Sequence, residues 1–293
     1  MLHAIEHAVL DTLTTFVVVY IVYFLVELFE NKFSQSLERK QKNWSPLYGA
    51  TFGLIPQCGF SVVATDLYSK KHLTMGTLIA IYISTSDEAL PILLSSPDKA
   101  IMVLPLILSK FVLALGIGYL VDMVLKKRAV EVPAHIDNCH EHEEVSHTGC
   151  CHHQVEADHN SSKLKELFLH PLIHSLKICA YLLIFNIAFE ILIHFIGEET
   201  IIKFLTSKSF LTPLFAVLVG LIPNCIGSVV LTQLYILGGI SFGATLGGLI
   251  ANAGLGFVVL FKNNKNQKEN FFILGFLALV GIVVGYLVSF IPF

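Results

Sequence analysis

The sequence predicts an all-α integral membrane protein built from two inverted-topology repeats. Each repeat is expected to hold about three spanning helices plus a broken or re-entrant helical hairpin, about ten helical segments in all. Three observations predict this. Long apolar runs recur along the 293 residues. A block of sixteen residues occurs twice at a fixed separation. Folding both blocks back as hairpins gathers the basic residues on one side of a membrane.

The apolar runs come first. Only 14% of the residues are charged and 54% are apolar, whereas soluble domains carry about 25% charged residues. Residues 12–28, 100–121, 176–196 and 271–293 are nearly free of charge. A run of roughly 20 residues crosses the ~30 Å hydrocarbon core as a helix, and helices satisfy their own backbone polar groups in lipid. The bilayer is therefore the expected partner. A net charge of −3 without aromatic residues interleaved among basic ones excludes nucleic acid. No Lys or Arg precedes Lys32 and no small-residue cleavage site follows the first run, so that run reads as a retained span. The six cysteines form no regular framework and are expected to be free thiols. A homo-oligomer is compatible with all of this.

The repeat is the second observation. Residues 53–68 read GLIPQCGFSVVATDLY and residues 220–235 read GLIPNCIGSVVLTQLY, with eleven of sixteen positions identical at an offset of 167. The same offset pairs Gly76 with Gly243, and Gly118-Tyr119-Leu120-Val121 with Gly285-Tyr286-Leu287-Val288. The chain thus divides into a first transmembrane repeat over 1–125, a polar linker over 126–164 and a second repeat over 165–293. Duplicated halves characterise secondary transporters, whose sites lie near the midplane at interrupted segments. Pro56 and Pro223 each remove a helix donor in mid-segment, and Gly59 and Gly227 relax the backbone just beyond. A proline kink within one spanning helix is the competing reading.

Charge bias separates the two. If residues 46–68 and 213–235 are hairpins, each half has three true spans and the halves are inverted. With both termini outside, 15 of the 19 basic residues lie on the inside, against 10 inside and 8 outside if the segments cross once. The positive-inside rule prefers the hairpins.

The hairpin tips offer Gln57 and Cys58 in one half, Asn224 and Cys225 in the other, followed by Ser61 and Ser228. Amide oxygens, hydroxyls and thiolates at a helix break can replace the water around an ion, although small polar residues also pack helices together in lipid. In the third segment, Ser84-Thr85-Ser86-Asp87-Glu88 lies well inside an apolar length. Asp87 and Glu88 could bind a divalent cation or accept a coupled proton; the competing reading puts them at a helix end in the headgroup region. At the offset of 167, Thr85 corresponds to Asn252, and the acids to Gly254 and Leu255. Lys110 in the next span is a candidate counter-ion or coupling group, with snorkelling as its bland alternative. Glu27 and Glu190 are weaker candidates, and Asp66 is expected near the cytoplasmic end of its hairpin.

The linker carries seven of the thirteen histidines and three of the six cysteines between residues 135 and 159. His135, Cys139, His140, His142, His147, Cys150, Cys151, His152, His153 and His159 form a candidate metal-gathering set. Imidazole and thiolate favour zinc, copper, nickel or cobalt, and interleaved carboxylates admit harder ions. The segment is too polar for a core and reads as a disordered cytoplasmic loop.

The repeated GLIPQCG and GLIPNCIG motifs, the Ser-Asp-Glu segment and the His-rich loop resemble the ten-helix heavy-metal exporters, members of which are described as manganese transporters or arsenic efflux proteins. The resemblance covers nearly the whole chain outside the linker. It implies plasma-membrane export of a divalent metal, manganese first, with the metal as substrate and no prosthetic group. Proton-coupled alternating access is the expected mechanism. An arsenite or other anion permease stays open, because each second hairpin arm starts a helix at the midplane and helix N-termini favour negative charge. An intramembrane enzyme is disfavoured. His140-Glu141 is followed by Glu144 where a His-Glu-X-X-His motif needs histidine, and no Gly-X-Ser-X-Gly occurs.

Overall fold

The computed structural model describes residues 45–55, 58–86, 88–97, 99–125 and 210–290, together with isolated helical positions within 16–24 and 172–187. The first span of each half, the linker, Glu27, Pro56, Gln57, Asp87 and Glu190 lie outside the described residues or only in part within them. All regular structure among the described residues is helical.

The first repeat contains α1 (Ser45–Gly53), α2 (Cys58–Ser69), α3 (Met75–Ser84), α4 (Ala89–Ser95) and α5 (Val103–Val124). The second contains α6 (Thr212–Gly220), α7 (Ile226–Ile236), α8 (Phe242–Ala251), α9 (Gly256–Asn263) and α10 (Gln267–Ser289). The bounds of α1 and α6, and of α3 and α8, coincide at the offset of 167.

Local signals recur with the same spacing. Thr74 and Ser241 cap α3 and α8, each side-chain oxygen accepting a backbone N–H at 3.2 Å, from Thr77 and Ala244. Lys71 and Gly238 both take positive φ, 65° and 73°. The next residue in each case closes the turn, His72 N–H to Leu67 O at 2.9 Å and Gly239 N–H to Leu234 O at 2.8 Å. This is the helix-terminating turn that favours glycine; the first repeat makes it with a lysine.

α1 and α2 form a hairpin. Ser45 Oγ accepts from Thr77 Oγ1 at 2.7 Å at the start of α3, and Gly53 lies against Ile81 and Ser84 near its end. The chain then doubles back, with Phe52 and Phe60 stacked at 6.4 Å, and α2 ends a few residues before α3 begins. α6 and α7 repeat the arrangement: Thr212, Pro213, Gly238 and Gly239 line one shallow surface cavity with Ser241. Both ends of each hairpin thus lie at one end of the bundle.

The third segment of each repeat is broken, which the sequence had not indicated for either half. α3 stops where Thr85 turns extended (φ −60°, ψ 132°), and α8 stops at Asn252 (φ −84°, ψ 101°). With their continuations they cover Met75–Ser95 and Phe242–Asn263, predominantly apolar lengths of 21 and 22 residues, each long enough to cross a bilayer. α5 with its preceding turn and α10 are the other two such lengths, at 25 and 23 residues.

α3 and α8 form the core and are almost wholly buried. α5 and α10 present Leu104, Leu108, Val112, Leu279, Val283 and Leu287 outward, a surface suited to lipid. Glycines allow close approach of backbones: Gly220 meets Gly248 O, and Gly247 meets Gly281 O. Contacts between repeats come in exchanged pairs. α2 packs on α9 as α7 packs on α4, and α3 meets its own counterpart α8.

Candidate ion site at the broken helices

Four helix interruptions converge inside the bundle. α1 ends against the last turn of α3, and Gly220 at the end of α6 abuts Gly248 of α8. The first turn of α2 faces the first turn of α9 of the other repeat, through Ser61 and Gly256, with the Tyr82 ring against Gly256 as well. Tyr82 in turn shares a 2.5 Å hydrogen bond with Thr65 and an edge contact with Phe257 at 5.6 Å.

Polar groups line this region. Thr85, Ser86 and Asn252 are buried. The Thr85 hydroxyl donates to Ile81 O at 2.7 Å and its N–H to the same carbonyl at 2.9 Å. Asn252 Oδ1 accepts from Gly254 N–H at 2.8 Å, closing a turn in which Gly254 has φ 52°. Glu88 is half-buried and immediately precedes α4, its carbonyl accepting from Ile92 N–H at 3.2 Å. Glu88 thus borders the interruption between α3 and α4, whereas Asp87 lies outside the described residues.

Lys110 has no exposed surface. It does not snorkel: its ammonium donates to Thr85 O at the end of α3 and, at 3.1 Å, to Leu249 O in the last turn of α8. One side chain therefore ties the two repeats together.

At the second tip, Asn224 N–H bonds Ile222 O at 2.7 Å across the turn that holds Pro223. Asn224 Oδ1 accepts from Cys225 N–H at 2.7 Å, which fixes the amide, since the flipped form would oppose two donors. Among the described residues its buried Nδ2 has no hydrogen-bond partner. Cys225 is a buried, reduced thiol. Ser228 donates to Cys225 O and Thr232 to Ser228 O, both at 2.7 Å. Ser61 is equally buried in the first repeat. Gly227 is required small, because an added Cβ would sit 2.8 Å from Val219 O of the facing arm. Cys58 begins α2 and Gly59 is buried within it. Among the described residues no three His, Cys, Asp or Glu side chains cluster as a metal site.

Sequence reasoning missed the carbonyls of Thr85 and Leu249 and the Tyr82–Thr65 pair. The signal for the breaks was available in part: Thr85 and Asn252, both weak helix formers, fall at the same repeat position.

A family profile described as "Putative, 10TM heavy-metal exporter" matches residues 2–199, 144–262 and 197–292, nearly the whole chain. The chain belongs to this family. No curated protein and no solved structure matches it. Membership in the heavy-metal exporter family accords with the helical bundle and its four bilayer-length segments. It also agrees with the family expected from the GLIPQCG and GLIPNCIG motifs.

Proposed function

We propose that this heavy-metal exporter moves a divalent cation, manganese first, out of the cell by proton-coupled alternating access of two inverted repeats. The observation that carries the proposal is the meeting of broken helices from both repeats around a buried polar centre, with half-buried Glu88 beside one of the breaks. Asp87 and Glu88 take the metal or a proton in turn, with Lys110 as their counter-charge. Thr85, Ser61 and Asn252 contribute oxygens, and Gln57, Cys58, Asn224, Cys225 and Ser228 form the tips. The linker histidines and cysteines gather metal on the cytoplasmic side.

Inversion is supported by which helix ends meet. In the last turn of α5, Asp122 accepts from Gly76 N–H and the Thr74 hydroxyl, both at 2.8 Å, at the start of α3. At the same face, Tyr68 donates to Glu269 at 2.5 Å, where α10 starts. At the opposite face, α10 ends with Ser289 bonded to Ser241 at 3.0 Å. The equivalent helices α5 and α10 therefore point in opposite directions. Lys70, Lys71, Lys262, Lys265 and Lys268 share the first face, and this charge bias supports a cytoplasmic placement for it. His72→Cys and Gly239→Cys, equivalent positions of the two repeats, are expected to react with a membrane-impermeant thiol reagent from opposite sides of the membrane. Labelling of both from one side would overturn the inversion.

At this same face the described residues of the two repeats are joined by Asn263 Nδ2 to Asp66 Oδ1 at 2.9 Å and Tyr68 to Glu269. Gln233, the counterpart of Asp66, is exposed at the other face.

A second reading rests on Asn224. A buried N–H donor at the start of α7 suits an oxygen-bearing anion or metalloid better than a bare cation. Asn224→Asp replaces that donor with an acceptor of equal size. If arsenite is the substrate, its flux should fall by about tenfold, the loss of one buried hydrogen bond. If a divalent cation is the substrate, its flux should hold or rise. Initial rates in vesicles decide between the two.

A further inference from the structure

Two helices that end inside an apolar bundle, C-terminus towards C-terminus, create an electrostatic problem. Each helix end carries about half a negative charge on its unpaired carbonyls, and a buried, low-dielectric setting screens such charge poorly. α3 and α8 end in this way, at Thr85 and Asn252, which occupy the same place in the two repeats and are both buried. The two half charges sum to about one negative charge. The ammonium of Lys110 lies between them, bonded to Thr85 O and Leu249 O, one carbonyl from each repeat. The lysine has no counterpart in the second repeat, where Leu277 holds the equivalent buried position. One positive charge thus serves a pair of sites related by the internal repeat.

We propose that the meeting point of α3 and α8 is a monovalent-cation site, and that Lys110 fills it with a tethered ammonium in place of a free ion. Helix C-termini and unwound carbonyls bind small cations in this way in transporters with broken helices. The inference concerns the joint between repeats and holds whichever substrate the protein carries. Removing the side chain leaves a cavity lined by carbonyl oxygens, of a size for a small cation.

The test is thermal unfolding of the purified Lys110→Ala protein in sodium, potassium or methylammonium chloride, with N-methylglucamine chloride at equal ionic strength as the reference. The expected result is a midpoint raised by about 5 °C or more in one of the small cations, with no such preference in the unsubstituted protein. Equal midpoints in all four salts would overturn the proposal. If Lys110→Ala does not accumulate in a folded form, Lys110→Arg and Lys110→Met are compared for yield of monodisperse protein. Arg keeps the charge, whereas Met keeps only the bulk. A higher yield for Arg supports the tethered cation; equal yields, or a higher yield for Met, overturn it.

Discussion

Metal efflux falls by about 100-fold or more when Asp87→Asn and Glu88→Gln are combined, while the amount of protein in the membrane stays the same. Losing groups that merely support a metal ligand costs about 10–100-fold, and these two carboxylates are proposed as ligands themselves. The exchange preserves volume and removes only charge, so the packing of buried Thr85 and Ser86 beside them is retained. Initial rates of metal uptake into inside-out vesicles, normalised to protein, give the measurement. Unchanged rates would shift the site to the cysteine-bearing hairpin tips.

The second large effect concerns the backbone contact between α8 and α10. A Cβ added to Gly281 would lie 2.5 Å from Gly247 O, and one added to Gly247 would overlap Gly281 O. Neither oxygen is a flexible side-chain end, so the helices must separate. Overpacking of this kind costs about 1–3 kcal/mol, or roughly 2–5 °C in the unfolding midpoint of a chain this long. Gly247→Ala and Gly281→Ala should each show such a drop in detergent. Gly275→Ala is the control, since no described residue lies within 4 Å of its added Cβ. An equal drop at all three positions would refute the packing argument.

The membrane class, the internal repeat and the hairpins were legible because each leaves a linear trace: apolar length, identity at a fixed offset, and a proline in mid-segment. The break at Thr85 and Asn252 was not. Neither position is a proline, and extended backbone at one residue leaves little mark on composition beyond a weak helix former at Thr85 and Asn252. Lys110 was recognised as a candidate from its place in a span, but its partners are backbone carbonyls from two distant segments. Carbonyls are present at every residue, so sequence cannot nominate Thr85 O and Leu249 O over any others. Asn224 was expected to offer an oxygen to an ion. In the fold that oxygen already accepts from Cys225 N–H, leaving the N–H2 group facing inward, a choice set by local turn geometry.

The central claim is export of a divalent heavy-metal ion, and the most direct test is metal-resolved uptake into inside-out vesicles with and without a pH gradient. Manganese, zinc, cobalt and arsenite are compared against vesicles lacking the protein. The account predicts gradient-dependent accumulation of a divalent cation, manganese most strongly. Accumulation of arsenite alone, or of none of the four, would contradict it.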